Sequence, residues 1–226
     1  MADSQAPRRP PRLILLGRQG SGKGTQASRL SSIYGVPHIS TGDAFRAAVK
    51  AGSELGRSVE GYMDRGELVP DDLVVAVIRD HLFGAAGPEG FILDGFPRTV
   101  AQAEALSEMA GSRGIDVVID LEVPTEEVLR RLSARRVCAN CGANYNLVDN
   151  PPKVAGVCDV CGGGPLVQRD DDTEDAIRRR LELYESETAP LVKWYRDRGL
   201  LVAVDAAGPP DEVTGRVVTA LNAALN

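Results

Sequence analysis

The run Gly17-Arg18-Gln19-Gly20-Ser21-Gly22-Lys23-Gly24-Thr25 constrains this chain more than any other stretch. A short apolar run, Arg12–Leu16, precedes it, and a helical pattern follows to Tyr34. Strand, glycine loop and helix in that order open a βαβ unit. Glycines let the backbone turn its N–H groups toward one point, and the next helix adds the positive end of its dipole. Lys23 then supplies a mobile positive charge for β- and γ-phosphates. The strict pattern G-x-x-x-x-G-K-[ST] fails by one residue, because Gly24 stands where a hydroxyl belongs and Thr25 carries it. The lysines are Lys23, Lys50, Lys153 and Lys193, against 26 basic residues in all, so a lysine inside this loop stands out.

The same rhythm continues along the chain. Ser40-Thr41-Gly42-Asp43 offers an N-cap for a helix over 43–51, and a second short helix is predicted over 53–65. Asp71-Asp72 caps an amphipathic helix carrying Leu73, Val74, Val77, Ile78 and Leu82. Apolar runs at 91–94, 117–123 and 200–204 read as strands, with helices from about Thr99, from Thr125 as its cap, and over 211–225. A long helix from about Thr173 should be disturbed at Pro190. Strands alternating with helices imply a parallel sheet covered on both faces. At 226 residues the chain suits one α/β domain with insertions.

A net charge of −6 argues against a nucleic-acid or anionic-membrane partner, so any basic site must be a local cluster of arginines. Residues 1–11 are polar and rich in Pro and Arg, and read as a disordered leader. The apolar run from Leu13 to Leu16 is too short for a signal peptide, and nothing approaches a membrane span. A cytoplasmic protein is expected.

Residues 137–172 break the rhythm with many Gly and Pro and all four cysteines. Cys138-x₂-Cys141, sixteen intervening residues, then Cys158-x₂-Cys161 is zinc-ribbon spacing. Each knuckle presents two thiolates to one tetrahedral metal, and Gly142 and Gly162 permit the tight backbone. Disulfides are disfavoured, since every cysteine belongs to a knuckle. Arg135 and Arg136 precede the module and Arg169 follows it, so it should close as a clip over phosphates.

Asp94 ends a buried strand, where a hydrated Mg²⁺ would balance its charge. Arg131 and Arg135 are four apart on a helix, and no acid is placed to neutralise both, so an anion is expected between them. His38 and His81 stand in no catalytic setting.

The Gly-Lys-Gly-Thr variant, with Ile39-Ser40-Thr41-Gly42-Asp43, Leu93-Asp94-Gly95-Phe96-Pro97-Arg98-Thr99 and Gln102, resembles the adenylate kinases among nucleoside-monophosphate kinases. The likeness runs from Arg12 to about Asp205, and Asn150-Pro151-Pro152-Lys153 and Gln168-Arg169-Asp170-Asp171-Asp172 extend it to the long, zinc-carrying bacterial lid. It implies a P-loop nucleotide-kinase fold: a parallel five-stranded sheet flanked by helices, with a helical AMP-binding insertion and a zinc-ribbon-like lid. The implied core covers 12–39, 70–134 and 173–226, the insertion 40–69 and the lid 135–172. It further implies a monomer that converts ATP and AMP to two ADP with Mg²⁺ and a structural Zn²⁺ on the four cysteines.

By that resemblance ATP meets Gly20, Ser21, Gly22, Lys23, Gly24, Thr25, Arg131, Arg135, Asn144 and Tyr145. AMP meets Thr41, Arg46, Glu67, Leu68, Val69, Gly95, Phe96, Pro97, Arg98, Gln102, Arg169 and Arg180. Lys23, Arg98, Arg135, Arg169, Arg180 and Asp94 serve the transfer itself, and Arg178 stands beside the phosphates. The chain departs from the pattern at Gln19, where proline is usual, at Asp149, where a residue often stacks on the donor adenine, and at Asp205-Ala206-Ala207-Gly208. A kinase with GTP as donor, or UMP or CMP as acceptor, is the neighbouring alternative. A zinc-ribbon regulatory module would want the basic, aromatic surface this chain lacks.

Overall fold

The computed structural model describes residues 9–84, 86–169 and 172–225. Five strands form one parallel sheet: β1 (Arg12–Leu16), β2 (His38–Ser40), β3 (Phe91–Asp94), β4 (Val117–Glu122) and β8 (Leu201–Asp205), in the order β2-β3-β1-β4-β8. All four pairings are parallel, so every strand delivers its C-terminal end to the same edge. The three-residue β2 was not foreseen. It is too short to show a period, and its pairing with β3 places it.

Because successive side chains point to opposite faces, each strand feeds two cores. Ile14, Leu16, Phe91, Leu93 and Val118 pack on one face, joined by Val74, Ile78 and Leu82 of α4 (Asp71–Phe83) and Leu106 of α5 (Val100–Ala110). Leu13, Leu15, Ile92, Val117 and Ile119 pack on the other, against Ala27 and Leu30 of α1 (Lys23–Tyr34) and Val213, Val217 and Leu221 of α9 (Pro210–Leu225).

Two helices, α2 (Thr41–Lys50) and α3 (Glu54–Asp64), stand between β2 and α4. The Ser40 hydroxyl caps the first by accepting from the Asp43 amide at 3.3 Å, and Ser53 caps the second through the Gly56 amide. After α6 (Thr125–Ser133) come β5 (Arg135–Cys138), β6 (Asn144–Asn146) and β7 (Leu166–Val167), a small antiparallel sheet in the order β6-β5-β7. The long helix expected from Thr173 is divided into α7 (Glu174–Leu183), a π turn over Tyr184–Thr188 and α8 (Ala189–Arg196). Pro190 sits in the first turn of α8, where its missing N–H interrupts the helical ladder.

Other expectations need correction. Residues 1–8 of the expected leader lie outside the described residues, as do Asp170 and Asp171 of the lid motif. Residues 9–11 are not loose: Arg9 pairs with Asp116 at 2.9 Å, and the Pro11 carbonyl accepts from the Phe91 amide. Asp71 does not cap α4, whose N-cap is Pro70; its carboxylate instead accepts from Thr99 Oγ1 (2.8 Å) and Gln102 Nε2 (2.7 Å). Thr125 opens α6 without a capping bond and accepts from Arg18. Among the described residues no helix is long and apolar enough to cross a membrane.

Candidate active site

The C-terminal edge of a parallel sheet is where such folds leave a crevice for ligands. Here the crevice is a cavity of about 260 Å³. Gly20 and Gly22 take left-handed backbone angles (φ 81° and 96°), which wrap the loop around the cavity floor. The first turn of α1 carries no acid and no side-chain cap, so its amides are left to an anion. Ser21 Oγ is buried with no hydrogen-bond partner, an orphan that a bound acceptor would satisfy.

Lys23 Nζ donates to the Gly17 carbonyl at 2.7 Å and the Arg18 carbonyl at 2.9 Å. Burial pulls its ammonium down to about 8, and nearby Arg98, Arg180 and Arg135 push the same way against Asp94. Several cations gathered around one buried ammonium suit a polyanionic ligand.

Arg46 and Arg98, the expected contacts to the AMP phosphate, both line this space. Arg98 Nε donates to the Gly95 carbonyl at 2.9 Å, and Thr41 Oγ1 donates to the same oxygen at 2.9 Å. Gln102 accepts from the Arg98 amide at 2.7 Å while its Nε2 holds Asp71, so it stiffens the Gly95–Arg98 turn. A smaller cavity of about 50 Å³ adjoins the first and is lined by Thr41, Glu67, Leu68, Val69 and Gln102. Arg46, Arg98 and Arg180 line both cavities. The first also receives Asp94, Pro97, Arg131, Arg135, Asn144, Tyr145 and Arg169, together with residues 20–25 of the loop.

Two expected residues stand apart. Phe96 lines neither cavity and is buried in the hydrophobic core. Tyr145 reaches the cavity wall, but its hydroxyl turns away to Cys158 Sγ at 3.4 Å and accepts from the Asp159 amide at 2.8 Å.

The arginines also have partners that sequence reading missed. Arg131 Nε donates to Glu127 at 2.8 Å, and Arg135 makes a two-pronged pair with the buried Asp172, its Nε at 2.7 Å. Arg131 and Arg135 do not share a helix face as expected, since α6 ends at Ser133 and Arg135 opens β5; each has its own carboxylate, so an anion between them is not required to explain them. Glu127 is an i−4 neighbour of Arg131 and was legible; bonds from Arg130 and Arg131 hold its carboxyl down at about 2. Asp149 accepts from Arg130 at 2.7 and 2.9 Å. His38, given no role from sequence, sets Nε2 3.6 Å from Asp94 Oδ2.

Across the mouth, Lys50 Nζ of α2 donates to the Ala139 carbonyl at 3.0 Å, and Arg169 lies 3.7 Å from Asp43. The cysteine module therefore touches α2 over the cavity. Within it all four Sγ atoms lie within 4.8 Å of one another, with Cys138 to Cys161 and Cys141 to Cys158 both at 3.6 Å. A tetrahedral metal with bonds of about 2.3 Å sets its sulfurs about 3.8 Å apart, so the group could hold such an ion. The Tyr145 hydroxyl, against the cost of burial and with help from the Cys161 and Val160 amides, pulls the Cys158 thiol down to about 6. A side chain at Gly164 would meet Cys138 Sγ at 2.2 Å, so the close approach of this backbone to the cluster requires glycine.

Comparison with known proteins agrees across most of the chain. A family model described as adenylate kinase matches residues 15–200. The chain is similar to an adenylate kinase of Streptomyces avermitilis, 51% identical over 93% of this chain and 96% of that protein. It is also 49% identical to adenylate kinases of Caldicellulosiruptor saccharolyticus and Thermodesulfovibrio yellowstonii, each alignment covering 93% of this chain and 98% of the relative.

Proposed function

Since this chain belongs to the adenylate kinase family, we propose that its two adjoining cavities carry the reversible, Mg²⁺-dependent transfer of a phosphoryl group from ATP to AMP, giving two ADP. The observation that carries this assignment of sites is the shared wall of Arg46, Arg98 and Arg180 between a large phosphate-loop cavity and a smaller one. ATP occupies the first and AMP the second, so their phosphates meet at the arginines.

A phosphate oxygen of AMP attacks the γ-phosphorus, the bond to the β–γ bridging oxygen breaks, and the electron pair leaves on the β-phosphate of ADP. The nucleophile is already anionic, so no general base is needed. What the protein must supply is alignment and positive charge. The loop amides and Lys23 take the β- and γ-phosphates, Arg46 and Arg98 hold the AMP phosphate, and Arg135, Arg169 and Arg180 neutralise the group in transit. Arg131, Asn144 and the backbone of Tyr145 face the donor. Thr41, Gln102 and the backbone at Glu67, Leu68 and Val69 face the AMP base. Asp94 fits a hydrated Mg²⁺, since it is a carboxylate at a strand end whose Oδ2 would stand 3.4 Å from a Cβ placed on Gly24, beside the phosphate loop. That ion would spread charge over the phosphate oxygens.

Zinc on Cys138, Cys141, Cys158 and Cys161 has four protein ligands and no open position, and so is structural. Tyr145 would hold the Cys158 thiolate from outside. Tyr145→Phe is therefore expected to weaken zinc binding about tenfold or more, read by competition with a chelator of known affinity. An unchanged affinity would remove Tyr145 from that role. Residues 135–172 act as the lid, and the protein works as a cytoplasmic monomer that balances adenine nucleotides.

The decisive assay mixes purified protein and Mg²⁺ with ATP or GTP and with AMP, GMP, CMP or UMP, and follows diphosphate formation. ATP with AMP should give the highest kcat/KM. No ADP from that pair would overturn the assignment.

A pH dependence follows from Lys23. Its protonated form binds phosphate, and in the free enzyme that form is lost as pH rises through about 8. With AMP saturating, kcat/KM for ATP should fall above that pH with a slope approaching −1, while kcat holds to higher pH because bound phosphates retain the proton. A profile flat to pH 10 would contradict the role of Lys23.

A further inference from the structure

Gln19 stands in the phosphate loop on the wall of the larger cavity, and its side chain reaches across to Asp172. Its Nε2 donates to Asp172 Oδ1 at 3.3 Å. The same carboxylate takes both prongs of Arg135, and its side chain has no solvent exposure. The Asp172 amide donates to the Arg169 carbonyl at 3.1 Å, and the Asp172 carbonyl accepts from Gln168 Nε2 at 3.0 Å. The two segments that enter and leave the cysteine module, at Arg135 and at 168–172, thus converge on one acid. Gln19 joins that acid to the phosphate loop.

The chemistry fixes which way the Gln19 amide faces, because turned over it would set Oε1 against a carboxylate oxygen. That orientation leaves Oε1 buried with no partner, so the fold accepts an unsatisfied oxygen to keep the bond to Asp172. The neighbouring residue also anchors the loop: Arg18 lies 2.6 Å from both Thr125 Oγ1 and Glu185 Oε1. The loop is held between α6, the π turn and the module's exit, so Gln19 meets Asp172 from a fixed base.

We propose that Gln19 is a positioning residue for the donor nucleotide, setting the spacing between the phosphate loop and Arg135 through Asp172. The loop amides and the Arg135 guanidinium must meet one chain of phosphates at the same time. A fixed loop–Asp172–Arg135 relay prepares that spacing before the nucleotide arrives. The inference rests on the proposed phosphoryl transfer.

Its test is steady-state kinetics on Gln19→Met, which keeps the length and loses the N–H, and on Gln19→Glu, which sets a second carboxylate against Asp172. Gln19→Met should raise KM for ATP about three- to tenfold, the net worth of one ordinary hydrogen bond, and Gln19→Glu more. KM for AMP should stay within about twofold and the thermal midpoint within about 2 °C, which a general loss of structure would not allow. In an Asp172→Ala background Gln19→Met should change KM for ATP no further, because the acceptor that joins the loop to Arg135 is already gone. Wild-type protein without turnover would sink the kinase reading itself. Wild-type turnover with KM for ATP unmoved in both Gln19 variants, or KM for AMP rising equally, would overturn this inference alone.

Discussion

Lys23→Met should lower kcat/KM for ATP about a thousandfold or more while leaving a folded protein. Methionine keeps the length of the side chain and removes its charge. What is lost is the one cation that the loop itself directs at the β- and γ-phosphates, in a setting where arginines already crowd the donor side. Nothing else can take its place, because the guanidinium groups arrive from α2, the turn before α5, α6, α7 and the two ends of the cysteine module, on the other walls. Stability should not fall with activity. Burial lowers the Lys23 pKa from 10.5 to about 8, which amounts to about 3 kcal/mol of destabilisation of the charged form in the unliganded fold. That cost is present below pH 8 and fades as pH rises toward 10.5. Methionine removes it, at the loss of two bonds to the loop carbonyls. Turnover and the thermal midpoint, measured together at pH 7, decide the matter. A variant within tenfold of wild type would show that the loop amides and arginines suffice.

The contrast between Lys23 and Asp172 shows what the chain made legible. Lys23 lies in a contiguous nine-residue loop between strand and helix, and its neighbours in sequence are its neighbours in space. The cysteines are equally local, two knuckles whose spacing constrains the metal they fit. Four of the five strands of the large sheet follow from the alternation of apolar runs and helices, while the three-residue β2 escaped that pattern and the count of five rested on the resemblance. Asp172 binds Arg135 at a sequence separation of 37 and Gln19 at a separation of 153, and no periodicity carries such a pairing. Asp71 was misread for a related reason. An acid at a helix start is ordinarily a cap, and only the placement of α5 beside α4 turns it to Thr99 and Gln102. Phe96 belonged to a motif whose other members face the cavity, yet an aromatic ring beside the sheet gains more from burial in the core. Local chemistry was readable; contacts made only by tertiary packing were not.

Removing the metal should lower the thermal midpoint by about 10 °C or more while cutting activity at low temperature less than about tenfold. The argument lies in how little else holds the cysteine module together. Its buried cluster is Cys138, Tyr145 and Cys158, with Ala143 and Leu166 packed against them, and its sheet has strands of four, three and two residues. Apolar burial on that scale is worth a few kcal/mol at best, whereas zinc on four thiolates contributes about 10–16 kcal/mol of apparent binding energy. Without the ion two of the ligands, Cys138 and Cys158, would be buried sulfurs with no metal to hold them. The two large cores on the faces of the sheet share no residue with this cluster, so melting should begin in the module. At low temperature the Arg135–Asp172 pair and the Lys50–Ala139 contact still hold the module near the cavity, which is why turnover should outlast rigidity. Calorimetric scans of chelated and zinc-loaded protein, beside initial rates at 10 °C, make the comparison. Metal-free protein melting at the same temperature as the loaded form would mean that the cysteines hold no structural ion.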